Sequence, residues 1–287
     1  SVPDGQTLAT RTVPTQPERG GRAVLDDVLR LVRDLLPEVE DASQKMGGIG
    51  LGVCELVNLE GELASDNCIK WLDMPVQEAL SAMAPTVIEA DVRAAAMAEA
   101  HWGAGKDFSS FLYVTVGTGI ACCLMIEGRP YLGAHGATGT MASSSISVPC
   151  QQCGHLSRQT LEEISAGPAL VKRFNALHGQ ADSGHEVVAA ATSGNSVAMK
   201  IVQSAGEALE SQLGLIVNVL DPEAVIIGGG LGLSEGPFWD YFIDSTRKYI
   251  WSDTHKNIPI LRASTGVDAG WIGAATSAWK SLSIRTV

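Results

Sequence analysis

The chain has 287 residues, 45% of them hydrophobic and 18% charged, a balance that predicts a globular protein with one large core or two smaller ones. Twenty lysines and arginines against 32 aspartates and glutamates give a formal net charge of −12, which argues against direct nucleic-acid binding. The uncharged apolar stretch over residues 109–126 has a Gly-Thr-Gly turn at its centre. We therefore interpret it as two buried strands and exclude a membrane span.

Cysteine usage and the first residues indicate a reducing compartment. Six cysteines are few for this length, and two of them are adjacent within an apolar run, which is typical of reduced thiols. The first 17 residues are polar and lack the basic start and apolar stretch of a secretory signal. We expect a cytoplasmic protein.

The N-terminal third alternates predicted helices with short strands. Asp4-Gly5 and the alternation after it predict the second half of a hairpin whose first strand would precede residue 1. Apolar residues at helical spacing predict a helix over residues 24–36 that ends near Pro37. Further elements predicted in this third are strands over residues 49–53, 56–59 and 86–89, and helices over residues 73–83 and 91–102.

A second unit is predicted to begin after Gly103-Ala-Gly105. Residues 131–159 are rich in Gly, Ser, His and Cys without periodicity, which predicts a long loop of the kind that often carries function. The elements predicted here are strands over residues 111–116, 120–126, 224–227 and 258–263, and helices over residues 161–176, 186–191, 195–220, 238–250 and 270–282. Strands alternating with helices predict an α/β fold.

Glycine-centred turns follow three of these segments, at residues 117–119, 136–139 and 228–232. Glycine lets backbone N–H groups approach a phosphate without a Cβ in the way, although each turn taken alone also fits an ordinary tight turn. Asp91 follows a buried strand and opens a helix. It could serve only as a helix cap, or it could accept a proton from a substrate hydroxyl that attacks a γ-phosphate.

These features together resemble the ROK family of repressors and sugar kinases. The resemblance covers nearly the whole chain in order, and the segments that carry it include Pro85-Thr-Val-Ile-Glu-Ala-Asp91, Val114-Thr-Val-Gly-Thr-Gly-Ile120 and Ile226-Ile-Gly-Gly-Gly230. It implies the actin/hexokinase-like ATPase fold (ribonuclease H-like), with two α/β domains around a cleft. The smaller domain would comprise residues 1–106 and 271–287, and the larger one residues 107–270.

The resemblance also implies residue roles. Asp91 matches the catalytic base, Glu89 of the same element would contact the substrate, and Glu162 matches a sugar-contacting glutamate. The residues that match the phosphate- and nucleotide-binding turns are Gly117, Thr118, Gly119, Gly228, Gly229 and Gly230. The implied ligands are ATP with Mg²⁺ and a sugar, and the implied assembly is a homodimer.

The departures from the family pattern indicate an altered substrate. Ala90 replaces the family's asparagine beside the base, and Thr140 and Ser143 stand in the segment that carries a sugar-binding Glu and His. We expect both to line a roomier, less polar substrate site, so an ordinary glucose kinase is disfavoured. Of the family's zinc loop, the candidate ligands that remain are Cys150, Cys153 and His155. A structural zinc needs four ligands, so we favour ordinary turn cysteines over bound zinc.

Three functions are compatible with this pattern. The first is an ATP-dependent kinase for a sugar or a sugar-like hydroxyl, although the family's opening Asp-x-Gly-Gly-Thr motif is absent, and phosphoryl transfer would be poor if Ser1 is the natural start. The second is a non-catalytic ligand-sensing ROK protein or the effector domain of a repressor. The third is a degenerate paralogue that acts only as an oligomer partner and binds no nucleotide.

Overall fold

The structure, a computed structural model, describes residues 7–39, 46–149, 153–177 and 179–284. The chain divides into two compact units. Unit 1 comprises Ser1–Trp102, Leu132–Thr138 and Asp268–Val287, and unit 2 comprises Gly103–Tyr131 and Gly139–Val267. No helix of the described part has the length and apolar character needed to cross a membrane.

Unit 1 is built on a parallel pair of strands covered by helices. Its elements are α1 (Gly21–Val39), β1 (Ile49–Val53), α2 (Val76–Ser81), β2 (Thr86–Ala90), α3 (Asp91–Trp102) and α10 (Ala269–Ile284). β1 and β2 pair in register, with Val53 opposite Ala90, so both strands end at the same edge. α10 packs against α3 so closely that a Cβ on Gly273 would lie 1.6 Å from the carbonyl oxygen of Ala94.

Unit 2 is built on a five-stranded mixed sheet. Its elements are β3 (Ser110–Val116), β4 (Ile120–Ile126), β5 (Arg129–Pro130), β6 (Ser145–Pro149), β7 (Leu156–Thr160), α4 (Leu161–Ser165), α5 (Gly167–Asn175), α6 (Gly184–Thr192), α7 (Ser196–Leu220), β8 (Ala224–Gly228), α8 (Pro237–Tyr249), α9 (Asp253–Lys256) and β9 (Ile260–Arg262). The strand order is β5-β4-β3-β8-β9, with β3, β8 and β9 parallel and β4 and β5 antiparallel. Strand β8, which lies between β3 and β9, is buried along its whole length, as its apolar sequence predicts.

The helix predicted over residues 161–176 is two helices. Ala166 between α4 and α5 has an extended backbone, with φ −74° and ψ 157°, and Pro168 follows in the first turn of α5. The break frees the amide of Gly167, which donates to the carbonyl oxygen of Gly117 at 2.8 Å instead of continuing a helix. The break therefore places the start of α5 at the Gly117 turn.

Four other predicted segments also differ from the structure. The long loop predicted over residues 131–159 contains strand β6, which pairs with β7 as an antiparallel hairpin. The strand predicted over residues 56–59 forms only one isolated bridge, between Val57 and Leu63. Helix α1 continues past its predicted end to Val39. In the predicted N-terminal hairpin, residues 7–16 form no strand, and residues 1–6 lie outside the described part.

Candidate active site

Three glycine-bearing turns of unit 2 meet at one edge of its sheet. β3 and β8 are parallel neighbours with Thr115 opposite Gly228, so the turns that follow them begin side by side. A Cβ on Gly117 would lie 3.6 Å from the amide nitrogen of Gly230, and the start of α5 is hydrogen-bonded to the carbonyl of Gly117. The sequence predicted the turns after β3 and β8 as phosphate-binding elements, and the structure brings these two turns together.

The turn after β8 requires glycine at its centre. Gly229 has φ +80°, and a Cβ there would lie 2.5 Å from the carbonyl oxygen of Val116. The amide of Gly232 donates to the same carbonyl at 2.8 Å. The backbone of this turn is therefore folded directly against the end of β3, an approach that only glycine permits.

A cavity of about 520 Å³ opens beside these turns, entirely within unit 2. Its lining residues are Gly117, Thr118, Gly167, Pro168, Val171, Lys172, Asp182, Ser183, Gly184, His185, Gly230 and Leu231. The first turn of α6 lies at its wall, where free N–H groups and the helix dipole favour an anion. Backbone amides, the Lys172 ammonium and apolar Val171 and Leu231 together suit a ligand with phosphate groups and an apolar ring.

Sequence reasoning missed two features of this cavity, which are Lys172 and the start of α6. Lys172 lies on α5, and Ser183 caps α6 by accepting a hydrogen bond from the amide of Glu186. The pattern Ser183-x-x-Glu186 is a recognisable helix-start signal, which places the start of α6 two residues before the predicted helix. Lys172 had no comparable signal, because only the break at Ala166 sets the direction of α5.

Glu162 supports the turn between β3 and β4. Its Oε2 accepts a hydrogen bond from the amide of Ile120 at 3.1 Å, and a Cβ on Gly119 would lie 2.9 Å from the same oxygen. The turn thus needs a glycine at residue 119, because the carboxylate occupies the space beside it. The predicted contact of Glu162 with a sugar stays a prediction. The structure shows in addition that one carboxylate oxygen of Glu162 supports this turn.

Thr140 and Ser143 lie on a short 3-10 turn that follows Gly139. Ser143 Oγ donates to the carbonyl oxygen of Thr140 at 3.2 Å, and both side chains are exposed. Gly139 has φ +84°, and a Cβ on it would lie 1.8 Å from the carbonyl oxygen of Cys122. Neither Thr140 nor Ser143 lines the cavity of unit 2, so their predicted substrate contacts remain predictions.

In unit 1, Asp91 lies at the carboxyl end of β2 and at the first position of α3. Its Oδ1 accepts a hydrogen bond from the amide of Val92 at 2.7 Å. The side chain reaches solvent, but the surrounding protein removes enough of its hydration to raise the pKa of the carboxyl group. The negative charge of Glu55 adds to this rise, whereas the Val92 amide opposes it. A raised pKa suits a carboxylate that must accept a proton.

Glu89, in β2, contacts residues that follow it in the chain. Its Oε1 accepts a hydrogen bond from the amide of Ala90 at 3.0 Å and lies 2.6 Å from Nε of Arg93. The buried Arg93 guanidinium also donates to the carbonyl oxygens of Val57 and Gly136, at 2.8 and 3.4 Å. Burial raises the pKa of Glu89, and the Arg93 charge opposes that rise. These contacts give Glu89 a structural role beside its predicted substrate contact.

Glu55 is a buried carboxylate that sequence reasoning did not single out. Its two oxygens accept four hydrogen bonds, from Ser65 Oγ and the amides of Asn67, Cys68 and Ile69, at 2.6 to 2.8 Å. Although burial acts in the opposite direction, these donors lower the pKa of Glu55. The carboxylate therefore fixes the whole segment of residues 65–69 against the end of β1.

Replacing Glu55 with glutamine is expected to destabilise the protein by about 2–4 kcal/mol, because the amide NH₂ would face N–H donors that the carboxylate accepts. Equilibrium urea unfolding measures the change. Because folding lowers the Glu55 pKa, its ionised form adds stability above the ordinary glutamate pKa of about 4.3. The difference between the two proteins should shrink as the pH falls below that value. Glu60→Gln, at an exposed position, is the control, and equal stability of all three proteins would contradict this role.

Two of the three candidate zinc ligands lie in the part of the chain that is described. Cys153 and His155 are exposed near the turn of the β6–β7 hairpin, and Cys150 lies outside the described residues. Neither Cys153 nor His155 belongs to a described group of three ligand side chains. Cys54, Glu55 and Cys68 do form such a group, in unit 1.

Comparison with known proteins agrees with this architecture. The family model described as "ROK family" matches residues 3–280. A glucokinase of Streptomyces coelicolor is 27% identical over 300 residues, covering 95% of this chain and 90% of the relative. The ROK hexokinase of Thermus thermophilus is 28% identical, with a TM-score of 0.78 over 98% of this chain and 94% of that one.

A ROK family glucokinase from Streptomyces griseus, solved in complex with glucose and AMPPNP, has a TM-score of 0.79. It is 24% identical, over 96% of this chain and 93% of that one. These matches confirm the predicted actin/hexokinase-like ATPase fold. Because the family model spans nearly all of the sequence, the chain belongs to the ROK family.

Proposed function

We propose that this protein transfers the γ-phosphoryl group of Mg²⁺-ATP to a hydroxyl of a sugar or a sugar-like compound. The observation that carries the proposal is the convergence of the Gly117, Gly167 and Gly230 backbones beside the cavity of unit 2. Family relatives named as glucokinase and hexokinase support phosphorylation of a sugar in general. The glucokinase solved with AMPPNP supports ATP as the donor.

In this proposal the cavity of unit 2 holds the nucleotide. The amides of the Gly117–Gly119 turn and the turn after β8, with the first turn of α6, would bind phosphate oxygens through N–H groups. The Lys172 ammonium would offset part of the phosphate charge. When bound with the nucleotide, Mg²⁺ would supply positive charge that offsets the charge of the phosphates.

Asp91 is the proposed general base. It would accept the proton of the attacking hydroxyl, and its raised pKa improves its strength as a base. The proposed substrate contacts are Glu89, Glu162, Thr140 and Ser143. Ala90 is buried and carries no polar group, so it offers no hydrogen bond to a sugar hydroxyl. We therefore propose a substrate that differs from glucose in the substituents that these positions would contact.

The function is tested by ADP release from Mg²⁺-ATP against hexoses, amino sugars, N-acetyl sugars and cyclitols, with mass spectrometry of the phosphorylated product. Turnover with one class and a matching phosphosugar would support the kinase. Nucleotide binding without turnover on any substrate would favour the ligand-sensing protein instead. Absence of both would favour the degenerate oligomer partner. The homodimer, the cytoplasmic location and the absence of nucleic-acid binding stay predictions.

Replacing Lys172 with alanine is expected to weaken AMPPNP binding by roughly tenfold, about 1.4 kcal/mol, because the cavity would lose its lysine charge. Isothermal titration calorimetry with Mg²⁺-AMPPNP measures the affinity. Lys200→Ala, at an exposed position of α7 outside the cavity, is the matched control and should bind as the wild type does. Equal affinities for all three proteins would contradict the placement of the phosphates beside Lys172.

A further inference from the structure

Two thiols lie together beside the proposed base. Cys54 directly follows β1 and Asp91 directly follows β2, and the paired residues before them are Val53 and Ala90. Cys54 and Asp91 are therefore neighbours at the carboxyl edge of the unit 1 sheet. Cys68 reaches the same point from the segment of residues 65–69, although it is 14 residues further along the chain.

The two sulfur atoms lie close together. Cys54 Sγ, Cys68 Sγ and one Glu55 carboxylate oxygen all lie within 4.8 Å of one another. Both cysteines are free and exposed, so a small reagent can reach them. Cys122 and Cys123, in contrast, are buried in β4.

Glu55 holds this pair in place but is poorly suited to bind a cation with it. Its Oε1 accepts hydrogen bonds from the amides of Cys68 and Ile69. Its Oε2 accepts hydrogen bonds from the amide of Asn67 and from Ser65 Oγ. Both lone pairs of each oxygen are thus engaged, which leaves two sulfur donors where a zinc site needs four ligands. The arrangement fixes the position of Cys68 and favours a reaction between the two sulfurs.

We propose that Cys54 and Cys68 are a reversible modification site that forms an intramolecular disulfide by exchange with a low-molecular-weight disulfide such as oxidised glutathione. The Cys68 thiolate attacks one sulfur of the reagent, the reagent's S–S bond breaks, and one glutathione leaves as its thiol. Cys54 then loses its proton and attacks the Cys68 sulfur, and the second glutathione leaves. The two protein thiols lose two electrons, and one glutathione disulfide becomes two thiols.

The surroundings of Cys54 set the order of these steps. Burial and the negative charges of Cys68, Asp91 and Glu55 raise the pKa of Cys54 to about 12, so this thiol is protonated at neutral pH. The first attack therefore falls to Cys68. Once Cys68 is in a mixed disulfide it carries no charge, and one of the causes that raise the pKa of Cys54 is removed.

Disulfide formation would also reduce turnover, a consequence that rests on the proposed function. The bond draws the two sulfurs to about 2 Å, so the two side chains must rotate, or the segments that carry them must move, beside Asp91. A catalytic base loses efficiency when its surroundings move by as little as about 1 Å. We expect at least a tenfold fall in turnover for the oxidised enzyme, reversed by dithiothreitol.

The test incubates the full chain in buffers of increasing oxidised-to-reduced glutathione ratio, then traps free thiols with N-ethylmaleimide and maps peptides by mass spectrometry. Cys54 and Cys68 should lose alkylation together and appear as one cross-linked peptide pair that dithiothreitol separates. Cys153→Ser, which removes another exposed thiol, should leave the cross-link unchanged. Cys68→Ser should abolish the cross-link and leave Cys54 without a glutathione adduct, because Cys68 makes the first attack.

Continued alkylation of both residues in the most oxidising buffer, or glutathione adducts without a cross-link, would overturn the modification site. Protection of Cys54 and Cys68 from alkylation that a chelator removes and dithiothreitol does not would also overturn the proposal, because that result assigns a metal to the pair. Measurement of turnover tests the effect on catalysis separately from formation of the cross-link. A cross-linked enzyme with full turnover would overturn the effect on catalysis, whereas a reduced protein inactive on every sugar would fail the proposed function and leave the cross-link result standing.

Discussion

Replacing Asp91 with asparagine is expected to lower kcat by about 10²- to 10⁴-fold while AMPPNP affinity stays unchanged. Asparagine keeps an oxygen that accepts the hydrogen bond from the Val92 amide, so the start of α3 should be preserved. It cannot accept the proton of the attacking hydroxyl. Steady-state kinetics on the best sugar of the panel measures the effect, and calorimetry measures nucleotide binding.

Asp73→Asn is the matched control, because Asp73 is exposed and lies outside the helix and the strand that position Asp91. This variant should keep the wild-type kcat. Equal turnover of the Asp91→Asn enzyme and the wild type would show that Asp91 is only a helix cap. A proportionate loss of stability and activity in Asp91→Asn would likewise contradict the role of base.

The same assignment predicts the acidic side of the pH profile. A general base works only when deprotonated, so kcat/KM should fall as the pH drops through the pKa of Asp91. Because burial raises that pKa above the ordinary value of 3.8, the fall should begin at a higher pH than an exposed aspartate would give. Glu55→Gln removes one negative charge that raises the Asp91 pKa and should move the acid limb to lower pH. An unchanged acid limb in that variant would contradict the electrostatic coupling.

The parts of the site that local sequence patterns determine could be predicted. Strand β2 followed by Asp91, and β3 and β8 followed by glycine turns, are visible because buried strands and glycines stand next to each other in the chain. The parallel pairing of β3 and β8 then follows from the α/β class, and it brings the two turns together.

Features that depend on distant contacts could not be predicted in this way. Glu55 looked like a polar residue between short strands, and its role appears only when the amides of residues 67–69 are folded back onto it. The break at Ala166 was hidden by a continuous helical pattern, and it is stabilised by the contact between Gly167 and Gly117. The β6–β7 hairpin was missed because β7 is largely polar and mostly exposed, so it lacks the apolar alternation of a half-buried strand.

The Gly229 turn gives the second large effect. Gly229→Ala is expected to destabilise the protein by at least about 2 kcal/mol and to weaken Mg²⁺-AMPPNP binding by more than about tenfold. Alanine is strained at φ +80°, and its Cβ would lie 2.5 Å from the Val116 carbonyl and 2.7 Å from Thr115 Oγ1, so the turn must move away from β3. Urea unfolding and calorimetry measure the two effects.

Alanine substitutions at two further glycines separate the effect of backbone strain from the effect of the steric contact with β3. Gly266→Ala places alanine at φ +65° with no atom within 4 Å of the new Cβ, so it should show the backbone strain alone and bind nucleotide normally. Gly230→Ala meets only the His185 imidazole, at 3.1 Å, which can rotate away, so its stability should change by less than about 1 kcal/mol. If Gly229→Ala lost no more stability and affinity than Gly266→Ala, the contact with β3 would not position the turn. A larger loss for Gly229→Ala than for either control is expected, because only there do the strained backbone and the fixed main chain of β3 act on the same residue.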